Sequence, residues 1–349
     1  MITFAHIGLP KTLSSAFQRS FFPEHPEIYY LGIGVGGPID FIDDDINLGF
    51  DDLLVYAKDG YFQHRKGEVA AAIQRHRRLA EESGKAAFGI SSEWFSFTLS
   101  ADMIDNAEKP RRLAELLGND SKIILVLRNQ SSLLRSLYGQ YIREGLALSY
   151  EEFLQYAHDF QDRNFYFDLH YQVQWRNLTK VFGENNVYFL PIEDYRGPDG
   201  SLLESVDGRL RLLDRVCEIL EIKYPDGFEL PTVNPSLSRK ELFHKCLLNR
   251  DHRHDFGNLL FEHGNYHRCR KFFEKEGAFN VGDFFAGSRL KHQSLDKAKE
   301  LALEDPREID YRVNSGVARK LKTNLESANR ELVSVSGLEL PNEYFELRF

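Results

Sequence analysis

The chain has 349 residues, 42% hydrophobic and 28% charged, with a formal net charge of −9. This length and balance describe a globular protein with a sizeable core, as compatible with one α/β core carrying helical additions as with two or three domains. The negative charge argues against broad nucleic-acid binding, and the basic run Arg75-His76-Arg77-Arg78 reads as a solvated helix face.

In chain order, Ile2 to about Gly8 reads as a strand, followed by the polar turn Pro10-Lys11-Thr12-Leu13-Ser14-Ser15. A helix over Ala16–Phe22 should end at Pro23. Gly32-Ile33-Gly34-Val35-Gly36-Gly37 precedes Pro38 and the acidic Asp43–Asp45 instead of a helix, so it reads as a flexible loop rather than a dinucleotide fingerprint. Glu68–Ser83 is a long helix stopped by Gly84, Lys85–Ser91 a short apolar strand, and Ile104–Leu117 a helix stopped by Gly118. Lys122–Leu127 is an apolar run suited to burial on both faces of a parallel sheet. Helices are expected at Ser131–Glu144, Tyr150–Phe160, Tyr171–Phe182 and Leu210–Leu220, with a strand at Asn186–Ile192 whose Pro191 sits at its end. Beyond about Pro235 strand signals nearly vanish. The stripe Val317, Leu321, Leu325, Ala328 and Leu332 marks a helical packing face.

Chemistry concentrates first in the strand–turn–helix at the start. A turn entering a helix N-terminus presents unpaired amides that favour an anion, Lys11 adds a charge, and Thr12, Ser14 and Ser15 add hydroxyls. The turn does not fit GxxxxGK[ST], because Lys11 precedes the hydroxyls and Gly8 is the one glycine upstream. It resembles the 5′-phosphosulfate loop of sulfotransferases that use 3′-phosphoadenosine-5′-phosphosulfate (PAPS), typically PKTGTT or PKSGTT. Pro10, Lys11 and Thr12 are identical, and Ser14 and Ser15 exchange hydroxyl for hydroxyl. Leu13 stands where the family usually has Gly, so a positive φ there would carry strain.

The second motif follows the strand Lys122–Leu127. Arg128 lies at its carboxyl end, where open α/β sheets bind ligands, and its planar fork suits a phosphate monoester. Ser136 follows eight residues later and Tyr138 two beyond it. This spacing resembles the 3′-phosphate motif of the same family. Val187 to Tyr195, with Glu193 and Asp194, is similar to a late strand of the family core, where the two carboxylates read as structural. Asn234-Pro235-Ser236 resembles an Asn-x-Ser segment of bacterial members, which implies cofactor contact by Asn234 and Ser236. The tail from Asn324 is weakly similar to bacterial C-termini.

Sulfuryl transfer to an alcohol needs a base and stabilisation of the leaving phosphate oxygen. Lys11 is placed for the second task. The resemblance implies a His or Glu base from the region after the strand ending at Ser91, and Glu93 is the matching carboxylate. Trp94 and Phe95 beside it would raise its pKa. The competing reading is a helix-initiating Glu after Ser caps. His6 is a rival by residue type alone, since a histidine inside a strand is usually core.

Of the three cysteines, Cys217, Cys246 and Cys269, at least one is left unpaired by any intrachain bridge, which suits a reducing compartment. The absence of an evident leader or long apolar run leads us to expect a cytoplasmic location. His263 and His267 are spaced i, i+4 without a placed carboxylate or thiol partner, so no metal site is expected, including among His244, His252 and His254.

The expected architecture is α/β, a three-layer fold of the P-loop type with a central parallel sheet and C-terminal helical additions. Residues 1–238 would form the PAPS-binding core, and 239–349 a mainly helical extension packed on it. The resemblance implies direct in-line transfer from PAPS to a hydroxyl of a carbohydrate or other small acceptor, leaving 3′-phosphoadenosine-5′-phosphate, without a metal. The alternatives are an ATP-dependent kinase on the same fold and a non-catalytic nucleotide-binding protein. Neither a full Walker loop nor an apolar strand ending in Asp supports the kinase.

Overall fold

The computed structural model describes residues 1–32, 41–98, 103–230, 237–251 and 286–349. Strands β1 (Ile2–His6), β2 (Ile28–Tyr30), β3 (Ala87–Ser91), β4 (Lys122–Leu127) and β5 (Val187–Pro191) form one parallel sheet in the order β2-β3-β1-β4-β5. The register sets Ile2 opposite Ala87, Phe4 opposite Lys122 and Ile123 opposite Val187. Side chains along a strand alternate between faces. Ile123, Leu125 and Leu127 accordingly enter one hydrophobic cluster, while Ile124 and Val126 enter another. Two apolar clusters on opposite faces of a parallel sheet make the fold a three-layer α/β one.

One layer holds α1 (Ser14–Ala16) and α2 (Phe22–Glu24), joined by a π turn over Phe17–Phe21, which bury Phe17, Phe21 and Phe22 with Phe4. Pro23 lies inside the last turn, near the N-terminus of α2, instead of ending the helix at Phe22. The short α3 (Asp44–Asn47) is capped by Asp43, which accepts from the Ile46 amide. The other layer includes α4 (Asp59–Glu82), α5 (Glu108–Leu117), α6 (Gln130–Glu144), α7 (Tyr150–Asp159) and α8 (Tyr171–Phe182), whose buried apolar residues join the larger cluster. Helix α9 (Arg211–Leu220) covers the opposite face. The expected helix from Ile104 begins only at Glu108.

The C-terminal part supplies α10 (Arg239–Asp251), α11 (Ala286–Glu304) and α12 (Ser315–Ser336). On α12, Leu321, Leu325, Ala328 and Leu332 are buried as a stripe. Asn329 on the same helix exchanges hydrogen bonds with Gln130 (2.6 and 3.0 Å) and donates to the Tyr344 carbonyl (2.8 Å). The final segment is thereby tied to the start of α6. Among the described residues no helix is long and apolar enough to cross a membrane.

The chain visits β2 and β3 on one side of β1 before crossing to β4 and β5 on the other. The crevice at such a reversal opens at the carboxyl ends of the strands. At that edge emerge the loop after His6, the turn after Ser91 and the corner after Leu127.

Candidate functional site

The loop after β1 is built around its own carbonyls. The Thr12 and Ser14 hydroxyls donate to the Leu9 carbonyl at 2.5 and 2.9 Å, the Ser96 hydroxyl donates to the Ile7 carbonyl, and Arg128 Nη1 donates to the Lys11 carbonyl at 2.9 Å. Thr12 and Ser14 are buried, so in this structure their hydroxyls brace the loop. Lys11 and Leu13 both take positive φ (67° and 68°), with Thr12 between them outside that region. Such alternation turns successive amides toward one concavity, an anion-binding nest. Among the described residues, no acceptor takes the amides of Lys11, Leu13, Ser14 and Ser15. Leu13 thus adopts the left-handed conformation that the family's usual Gly would take without cost. For a leucine this costs about 1–2 kcal/mol, and the side chain packs against the smaller apolar cluster. Ser15 is half-buried just inside the helix.

Beneath the loop, His6 is fully buried, sharing a 2.7 Å hydrogen bond through Nδ1 with Ser91 Oγ and packing against Phe17 and Phe22. Burial drops its pKa to about 3, so it stays neutral. Its Nε2 has no partner and lies under Gly8, where a Cβ would come within 2.8 Å of it. His6 supports the loop from below and does not reach the crevice as a base.

At the end of β4 the corner is pinned from several sides. Asn129 caps α6 by accepting from the Ser132 amide, its own amide donates to Glu193 Oε1 (2.8 Å), and Tyr171 Oη donates to the Arg128 carbonyl (2.7 Å). Tyr344 Oη donates to the second Glu193 oxygen (2.7 Å), so Glu193 is structural. Tyr138 is core as well, donating to the Leu148 carbonyl (2.8 Å).

Lys11, Arg128 and Ser136 line one cavity of about 330 Å³, together with Arg135, Arg143, Ser132 and Gln140. Leu237, Leu242 and Tyr311 supply apolar wall, and among the described residues no carboxylate lines it. Lys11 is depressed below the ordinary ammonium range, first by burial, then by the charge of Arg143, with Arg128 adding to this and Glu93 opposing it.

Glu93 opens a 3-10 turn, Glu93–Phe95, capped by Ser92, and approaches Lys11 from the β3 side without lining that cavity. Burial pushes its carboxyl up to about 7, against the pull of Lys11. The turn is held by a buried network. Lys109 Nζ donates to the Trp94 and Phe97 carbonyls (2.8 and 3.3 Å), and the Thr98 amide donates to Asp168 Oδ2 (2.6 Å). Burial drives Lys109 down and Asp168 up, while each charge holds the other toward its ionised form.

Asn234 and Ser236 lie outside the described residues, as do Gly34, Gly36, His252, His254, His263, His267 and Cys269. Arg135, Gln140 and Arg143 were missed by motif reading. Their signal was helical spacing, because Ser132, Ser136, Gln140 and Arg143 recur at steps of four, four and three on α6.

No protein-family model matches the chain, and no curated protein matches its sequence. Among solved structures, a sulfotransferase from Alicyclobacillus acidocaldarius is similar over 71% of this chain and 92% of that one, at 18% identity and a TM-score of 0.43. So distant a likeness decides nothing about activity. The three-layer architecture stands on this chain's own strand pairing.

Proposed function

We propose that the chain is a sulfotransferase that moves a sulfuryl group from PAPS to a hydroxyl of a carbohydrate or other small acceptor. One observation carries the reading. Lys11 and the Arg128–Ser136 pair, 117 residues apart at their first members, converge on one cation-lined cavity, with Glu93 on the turn after the neighbouring strand within electrostatic reach of Lys11. The lining fits a bisphosphate, since four cations and several neutral donors converge where, among the described residues, no carboxylate competes.

In this reading Arg128 and Ser136 hold the 3′-phosphate, and the nest of residues 11–15 holds the 5′ end. PAPS supplies the sulfuryl group: the acceptor oxygen bonds to sulfur while the S–O bond to the 5′-phosphate breaks, its electron pair leaving on 3′-phosphoadenosine-5′-phosphate (PAP). Glu93 takes the acceptor's proton, and a carboxyl near 7 is matched to that work at neutral pH. Lys11 stabilises the charge that develops on the leaving oxygen. Asn234 and Ser236 are retained as cofactor contacts on the family resemblance. No metal enters the scheme.

The test is calorimetry with PAP, 5′-AMP and ATP, followed by labelled PAPS with a panel of glycan and metabolite acceptors read by mass spectrometry. PAP should bind far more tightly than 5′-AMP, and Arg128→Ala should remove roughly one to two decades of PAP affinity. Equal affinity for PAP and 5′-AMP would reject the assignment of Arg128 and Ser136, and preference for ATP would favour the kinase alternative.

A further inference from the structure

Helix α6 presents one polar stripe to the cavity. Ser132, Ser136, Gln140 and Arg143 lie along it over about 16 Å at 1.5 Å per residue. The donor reading uses Arg128, at the end of β4 just before this helix, and Ser136 on the stripe. Arg143 stands two turns beyond Ser136, half-buried, lining the same cavity as Lys11. It has no ion pair or hydrogen bond among the described residues. Helical side chains lean toward the N-terminus, which carries the guanidinium back along the stripe.

Two cations in one partly desolvated cavity repel each other. After burial itself, Arg143 is the strongest influence depressing Lys11, ahead of Arg128. With no carboxylate among the described residues of the lining, such a pair is stabilised by an anion lying between them. The position of Glu93 identifies the anion. Lys11 is the charge that acts on Glu93, whereas both arginines act on Lys11. Glu93 does not line the cavity that Lys11 and Arg143 share, so Arg143 lies on the donor's side of the reaction.

We propose that Arg143 is a second cation for the 5′-phosphosulfate end of the donor, its fork taking non-bridging oxygens beside Lys11. The proposal rests on the PAPS reading. It also assigns a division of labour: Arg128 reads the 3′-phosphate and Arg143 the 5′ end.

The experiment is calorimetry of wild type, Arg143→Ala and Arg128→Ala with PAP, 3′-AMP and 5′-AMP. Arg143→Ala is expected to weaken PAP and 5′-AMP by roughly ten- to a hundredfold, the effect of a lost charge-assisted bond, and to leave 3′-AMP within about twofold. Arg128→Ala should weaken 3′-AMP more than 5′-AMP, the smaller 5′ loss coming from the broken bond to the Lys11 carbonyl. Arg143→Lys should show the Arg143→Ala pattern at smaller size, because a point charge replaces a fork; it serves as the test if the alanine variant does not fold. Unchanged PAP affinity, or a loss shared equally by 3′-AMP, overturns the proposal. A wild type that binds PAP no better than either monophosphate removes the PAPS reading and this inference with it. A discriminating wild type with an indifferent Arg143 removes the inference alone.

Discussion

Glu93→Gln separates the stability of a buried carboxyl from its use. The folded protein raises this group from an ordinary 4.5 to about 7, chiefly by desolvation. The native state therefore binds the proton more tightly than the unfolded chain. That contribution to stability is fully present below about pH 4.5 and is lost as pH rises through about 7. The gap between those values corresponds to about 3 kcal/mol at 1.36 kcal/mol per pH unit. The side chain is half-buried rather than sealed, so solvent screening brings the expected effect to about 1–3 kcal/mol. Gln cannot ionise and escapes the loss. Urea unfolding at pH 5, 6, 7 and 8 should find the variant near wild type at the acid end and more stable by about 1–3 kcal/mol at pH 8. A difference that stays constant across this series would refute the burial argument. The same variant should keep PAP affinity while its single-turnover rate falls by about 10²–10⁴. A near-wild-type rate would take Glu93 out of the mechanism.

Lys11→Ala should lower turnover more than it weakens PAP binding, because the leaving-group charge exists only in the transition state; equal losses in kcat/KM and PAP affinity would mean uniform binding instead. Lys109→Met leaves Asp168 buried without its cation, so that it must take up a proton, and frees the Trp94 and Phe97 carbonyls; denaturation should report a loss of about 3–5 kcal/mol. Adding Asp168→Asn should cost less than the sum of the single changes, since no charge is then left unpaired, and strict additivity would show that the two groups do not interact.

Much of the fold was legible because burial on both faces of a parallel sheet forces continuous apolar strands. Lys122–Leu127 has the same bounds in sequence and structure, as does Tyr171–Phe182. The strand Ile28–Tyr30 escaped notice because three residues after Pro26 carry no period. Pro23 misled in the opposite direction: the helical backbone widens into a π turn over Phe17–Phe21 and runs on through Pro23 to Glu24 before His25 turns extended.

The residue types at the site were local information. A lysine in a turn before a helix, an arginine at a strand end and a serine eight positions on are properties of short stretches, and the sequence by itself determined them. It also determined that Leu13 would be strained if its φ were positive. Whether it is positive depended on the braces to Leu9 and the bond from Arg128 to the Lys11 carbonyl, which join residues 117 positions apart. Tertiary structure alone placed Arg143 on the same cavity as Lys11 and desolvated Glu93 on a turn whose Trp94 carbonyl Lys109 holds. Charge proximity and desolvation are set by the whole surrounding volume, and no window of sequence contains that volume.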